Sequence, residues 1–338
     1  MVRHPLLGLT ALAGLAAAVG LAGCGAGDDE LTVYSARQEH LIKPIFDRFT
    51  EETGIAVRYI TDSAAPLMER LKSEGDRTRA DILMTVDAGN LHQAVENGLL
   101  QSVDSGLLRQ RIPEHLHDPE GQWFGYSVRA RTIIYHPDRV DPANLDTYEG
   151  LADQQWRYRL CMRTSQKVYN QSLVAMMMAR LGEERTEEIV RGWVTNFATD
   201  PFSNDTAVLN AIQAGQCDVG VTNTYYLGRL LRDDPDLLLE VFWPNQEDRG
   251  VHVNVSGAGM TRHATRTEEA LTLLEWLAGD DAQEMFAALN LEYPAVEGVP
   301  LDPIVEQWGE FNADTLNVSE AGRLQRQATM LMDRAGYR

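Results

Sequence analysis

Strand and helix patterns alternate through two successive sets along this chain. Two long strand-forming runs lie between and after the first set, and the ordered part spans roughly 300 residues. Together these predict an α/β protein of two lobes, each a mostly parallel sheet flanked by helices, the two joined by a pair of hinge strands. Hydrophobic residues make up 44% of the sequence, enough for a sizeable core in each lobe.

The first set opens with a strand at 31–34 and a helix at 39–52, whose Leu41, Ile42, Ile45, Phe46 and Phe49 form one stripe that Gly54 ends. A strand follows at 55–60, a helix at 66–74, a buried strand at 80–85 and a helix at 90–98. Residues 127–135 read as one long strand, and a turn-rich stretch runs from Pro137 to Gly150. The second set starts at Arg159. It continues through helices at 171–181, 186–197 and 207–214, a strand at 218–221, and a helix beginning near Leu227. Residues 251–259 alternate with period two as a second long strand, and helices rich in Leu and Ala complete the chain. The expected boundaries are 31–129 with 257–300 for the first lobe and 130–256 with 301–338 for the second.

The beginning of the chain reads as an address. A basic start is followed by an apolar stretch from Leu6 to Val19 and then Leu21-Ala22-Gly23-Cys24, which has the form of a lipobox. Residues 1–23 are read as a lipoprotein signal peptide, Cys24 as the acylated residue and 24–30 as a flexible linker. The expected location is the periplasm or cell surface, held to the membrane by lipid. The formal net charge is −20, which argues against nucleic acid as a partner. In an oxidising compartment Cys161 and Cys217 make an even pair that is expected to form a disulfide, two buried thiols being the alternative.

Chemistry gathers at three strand-to-helix junctions, where open α/β sheets bind ligands. The first holds Tyr34-Ser35-Ala36-Arg37, the second Tyr169-Asn170-Gln171-Ser172, and the third Asn223-Thr224-Tyr225-Tyr226. A helix start favours negative charge, so phenols there are drawn toward phenolate, a hard donor suited to Fe(III). Arg129 and Arg131 share one face of the long strand, and one of them is expected to face the cleft.

On these residues, with Trp123-Phe124-Gly125 and Arg129-Ala130-Arg131, the chain resembles the ferric-ion-binding proteins of bacterial ABC iron importers over nearly its whole mature length. That resemblance implies the two-lobe, type II periplasmic-binding-protein fold. It implies Tyr169, Tyr225 and Tyr226 as Fe(III) ligands. It also implies a synergistic anion, carbonate or similar, held by Arg37 and Arg129, with Arg131 the alternative. An ABC permease and its ATPase are the implied partners of a monomeric carrier. The chain departs from the pattern where some members carry a histidine after the first arginine, because here the run is Gln38-Glu39-His40. It departs again where some carry a carboxylate after the third strand, because here Val86 precedes Asp87. Glu39, His40 and Asp87 therefore stay open as additional ligands.

Two other functions use the same sequence differently. The scaffold suits a phosphorylated or organic ligand, such as a sugar phosphate, a polyamine or thiamine. A lipid-anchored envelope enzyme is the reading from another class. It finds no Gly-x-Ser-x-Gly elbow, His-Glu-x-x-His pair or P-loop in the chain.

Overall fold

The computed structural model describes residues 30–338; the expected signal peptide, Cys24 and nearly all of the expected linker lie outside the described residues. The first set comprises β1 (Leu31–Ser35), α1 (Glu39–Thr53), β2 (Val57–Thr61), α2 (Ala64–Glu74), β3 (Ile82–Thr85), α3 (Ala88–Glu96) and the short α4 (Gly106–Arg111). The long β4 (Phe124–Tyr135) leads to the second set: β5 (Leu160–Met162), α5 (Val168–Leu181), α6 (Glu183–Asn196), α7 (Asp205–Gln213), β6 (Val219–Asn223), α8 (Thr224–Asp233) and β7 (Glu240–Phe242). The chain returns through β8 (Val253–Met260), α9 (Thr267–Leu277), α10 (Asp280–Asn290) and β9 (Tyr293–Pro294). It closes with α11 (Pro303–Glu306), α12 (Ser319–Arg323) and α13 (Gln325–Arg334).

The strands follow the order β2-β1-β3-β8-β4-β6-β5, with β7 and β9 also paired to β4. Parallel pairs are confined to the outer strands: β1 with β2 and β3, and β5 with β6. The strands that link the lobes run antiparallel to every neighbour, because each carries the chain back from one lobe toward the other. All twelve residues of β4 are buried. Its first half pairs with β8 as far as Ala130↔Val253, and its second half pairs with β6 from Arg131↔Asn223 onward. The exchange of partners between Ala130 and Arg131 places the site at the seam of the two lobes.

Sequence pattern explains the elements. In α1 the five stripe residues are buried, and each of the two phenylalanines contributes roughly 1.5–3 kcal/mol by leaving water. Gly54 then adopts φ 74° and gives its N–H to Thr50 O, a left-handed cap that a side chain would strain. A first core lies around β1–β3 and the first half of β4, and Val305 and Val318 from the C-terminal segment join it. A second core packs α5, α6 and α13 on one face of the other lobe's sheet, with Trp193, Met177 and Leu331 at its centre. A third fills the opposite face around Val208, Ile212 and Leu227. Cys161 and Cys217 are joined there by a disulfide, with Cα atoms 5.9 Å apart. Among the described residues no helix is long and apolar enough to cross a membrane.

Candidate metal centre

Each phenol of interest sits in the first turn of a helix. Tyr169 is the second residue of α5, and Tyr225 and Tyr226 follow Thr224 at the start of α8. Strand and helix adjoin directly at Asn223, and its side chain does not cap α8. Asn223 Oδ1 instead accepts a hydrogen bond from Arg131 Nη1 at 3.1 Å.

Arg131 organises this region. Its Nε donates to Asn170 Oδ1 at 3.0 Å, beside Tyr169, while Nη1 reaches Asn223, two residues before Tyr225. Its charge is met by the fully buried Asp205 at 3.0 Å, and Nη2 donates to Val221 O at 3.0 Å. One guanidinium thus holds the starts of α5 and α8 in a fixed relation. Its side chain is buried and fully engaged with protein, whereas Arg129 lines the cleft.

The cleft between the lobes has a volume of about 200 Å³, and Tyr169, Tyr225, Tyr226, Arg37 and Arg129 all line it. The Tyr225 hydroxyl donates to the Tyr169 hydroxyl across 3.4 Å, and the Tyr225 and Tyr226 rings pack with centroids 4.3 Å apart. Guanidiniums surround these rings. Arg129 and Arg163 lie 5.5 and 5.2 Å from the Tyr169 centroid, and Arg229 lies 5.1 Å from that of Tyr225. Tyr34, from the first junction, is turned away and donates to Glu74 at 2.9 Å.

Burial raises the Tyr169 and Tyr225 pKa values above the ordinary phenol range, so desolvation outweighs the helix-start effect expected from the sequence. For Tyr169, Arg129 opposes the rise. For Tyr225, the neighbouring phenols add to it. Without a cation beside them, both hydroxyls are therefore protonated at neutral pH. Ionising them requires a strong cation at their oxygens.

Arg37 and Arg129 are anchored alike. Arg37 Nη1 and Nη2 both donate to Glu292 Oε2 at 3.2 Å, and Nη1 also meets Ser127 Oγ at 3.2 Å. Arg129 Nη2 donates to Val255 O at 3.0 Å and to Val86 O. In both residues the buried Nε–H has no protein partner. Two orphaned guanidinium donors in one cleft wall are what a bound anion would satisfy.

The open candidates fall elsewhere. Glu39 is exposed and accepts from Tyr59 at 3.1 Å, and His40 is exposed on α1. Asp87 is fully buried and caps α3 through Gly89 N at 2.7 Å. Its second oxygen accepts from Ser172 Oγ at 3.1 Å and Asn254 Nδ2 at 2.8 Å. None of the three lines the cleft. Among the described residues no group of three or more His, Cys, Asp and Glu side chains could hold a metal ion.

Sequence reasoning missed Arg229, Asn290 and Glu292, all of which line the cleft. Glu292 lies 255 residues from Arg37 and follows Leu291, a positive-φ residue that ends α10. An acidic residue between Leu291 and Tyr293 was the available signal, since a charge in an apolar run needs a partner.

Known proteins resemble this chain over nearly its whole length. Iron uptake protein A1 of Synechocystis is 44% identical over 315 residues, covering 91% of this chain and 88% of that protein. The structure of Trichodesmium IdiA (FutA) in complex with iron and citrate ligands superposes with a TM-score of 0.88 at 42% identity, covering 91% of this chain and all of that one. Apo FutA2 from Synechocystis superposes with a TM-score of 0.87 at 44% identity, over 92% of this chain and 99% of that one. The model of the bacterial extracellular solute-binding proteins matches residues 31–288, and the chain belongs to that family.

Proposed function

We propose that this protein captures Fe(III) in the interlobe cleft as a tyrosinate complex. Tyr169, Tyr225 and Tyr226 are the ligands, and an anion such as carbonate fills the remaining positions beside the Nε–H groups of Arg129 and Arg37. The observation that carries this reading is the convergence of three phenols in one cleft, two of them in hydroxyl contact. Three phenolates balance the ion's three charges, and a carboxylate-like anion matches guanidinium donors. The names of the relatives point the same way, since one is an iron uptake protein and another was solved with iron and citrate.

The protein is a binding protein and not an enzyme. In this proposal it is a monomeric periplasmic carrier, tethered through Cys24, that hands its cargo to an ABC permease and its ATPase. Release follows opening of the lobes about β4 and β8, the two strands that join them. A phosphorylated organic ligand would use the same arginines but would leave the three phenols without a role.

Phenolate-to-iron charge transfer supplies the test. Ferric citrate with bicarbonate should colour the wild-type protein, and Tyr225→Phe together with Tyr226→Phe should abolish most of the visible band. A colourless loaded wild type, or an unchanged band in the double variant, would refute the assignment.

A further inference from the structure

Glu292 is the one carboxylate among the described residues lining the cleft, whose lining also carries three guanidiniums, those of Arg37, Arg129 and Arg229. One of its oxygens takes both Nη groups of Arg37. The other accepts from Asn290 Nδ2, and Asn290 Oδ1 in turn accepts from Arg229, the cation over the Tyr225 and Tyr226 rings. A continuous polar chain therefore runs from Arg37 in the first lobe to Arg229 in the second.

Burial works against the Glu292 charge, but Arg37 and then Arg129 outweigh it and hold the carboxyl below its ordinary pKa. With neutral phenols the lining carries three positive charges and one negative, a net of +2. Fe(III) with three phenolates adds zero and leaves that net unchanged. The charged groups just behind the lining cancel: Arg131 and Arg163 surround Asp205, and Asp87 faces Arg129. His252, also behind it, is neutral, its pKa lowered to about 3 mainly by burial.

We propose that Glu292 is the specificity-determining residue for the anion: by occupying the Nη edge of Arg37 it sets the cleft to accept a dianion rather than a trianion. The inference rests on the anion reading above and adds what selects the anion. Glu292 and Ser127 take three of the five Arg37 donors, with both Nη groups engaged, which leaves Nε–H and one Nη2–H. Without the carboxylate the fork is released and the lining rises to +3, which favours a more highly charged partner.

The anion titration that carries the test needs no iron. The apo protein, Glu292→Gln and the charge-preserving Glu292→Asp are titrated calorimetrically at about pH 8 with hydrogen phosphate, a dianion there, and with citrate, a trianion. In Glu292→Gln the affinity ratio should move about tenfold toward citrate. Glu292→Asp keeps the net +2 and leaves Arg37 in place. It should hold the ratio within a few-fold of wild type. An unmoved ratio in folded Glu292→Gln overturns the proposal, as does a Glu292→Asp variant that shifts as far as Glu292→Gln. Loss of the ferric band in Glu292→Gln with an unmoved anion ratio would make Glu292 a metal ligand instead and also overturns it. Failure of the tyrosinate reading shows separately, as a wild type that loads iron without colour.

Discussion

The Tyr225 hydroxyl donates to the Tyr169 hydroxyl across 3.4 Å, joining the first turns of two helices whose tyrosines lie 56 residues apart. Two oxygens bound side by side on one octahedral ion at about 2.0 Å are about 2.8 Å apart. In the proposed complex only a small inward movement of these two groups would be needed. Each single Tyr→Phe variant keeps its ring packing and removes one charged donor. Loss of such a donor to a metal should weaken ferric binding by about a hundredfold or more, read by competition with a chelator. Equal affinity in Tyr169→Phe would exclude Tyr169 from the ligand set.

Proton release offers an independent measure. Burial raises the Tyr169 and Tyr225 pKa values, so these phenols are neutral before loading and in the proposed complex would lose their protons to the ion's field. Ferric loading in weak buffer should expel protons from both, and affinity should fall as pH falls. Tyr225→Phe should release one proton fewer. A release that does not change in that variant would show that Tyr225 is not ionised by the ion.

Arg129 and Arg131 lie two residues apart and should respond oppositely to substitution. Arg131 is buried against Asp205 and holds Asn170 and Asn223, so Arg131→Met leaves the buried carboxylate only the longer Arg163 pair at 3.8 Å and should cost about 3 kcal/mol in chemical unfolding. Arg129 lines the cleft with an unpartnered Nε, so Arg129→Gln should chiefly reduce anion affinity. If both variants lost the same stability and the same affinity, the division of labour between them would be wrong.

The alternation of strands and helices is legible in the sequence because local periodicity writes it, as in the stripe of α1 and the cap at Gly54. The tyrosines are legible because they sit at strand-to-helix junctions, which the topology must gather at one edge. The choice between Arg129 and Arg131 is not legible, since period two puts both on one face. Only the partner exchange of β4 after Ala130 places Asp205 and Asn223 against Arg131. Glu292 is hidden for a related reason: its meaning lies in Arg37, brought near by the whole first lobe. The phenol electrostatics mislead as well, because a helix start acts over one turn whereas burial depends on everything packed around the ring.

Asp87 joins α3, β8 and α5 through Gly89, Asn254 and Ser172, and so spans the hinge. Its carboxyl is raised from 3.8 to about 6, burial being the largest cause, with Arg129 and the hydrogen bonds from Gly89 and Ser172 opposing it. A folded-state pKa above the unfolded one means that folding favours the protonated acid. This contribution is fully present below about pH 4 and is lost as pH rises through about 6. Urea unfolding of wild type and Asp87→Asn should show the stability gap moving toward wild type on acidification, by up to about 3 kcal/mol. A gap constant from neutral to acid pH would remove Asp87 as the titrating group.

The Cys161–Cys217 bridge encloses α5, α6 and α7 within a 56-residue separation, on the face of the sheet opposite the second core. Closing a loop of that length restricts the unfolded chain and is worth about 4 kcal/mol on the chain-entropy scale. Neither cysteine lines the cleft, and Arg131 holds the tyrosine-bearing turns independently of the bridge. Cys161→Ser with Cys217→Ser should therefore unfold at lower denaturant while keeping the ferric band at its wild-type position. A band that shifts or bleaches in the folded double variant would show that the bridge, and not Arg131 alone, sets the tyrosine geometry.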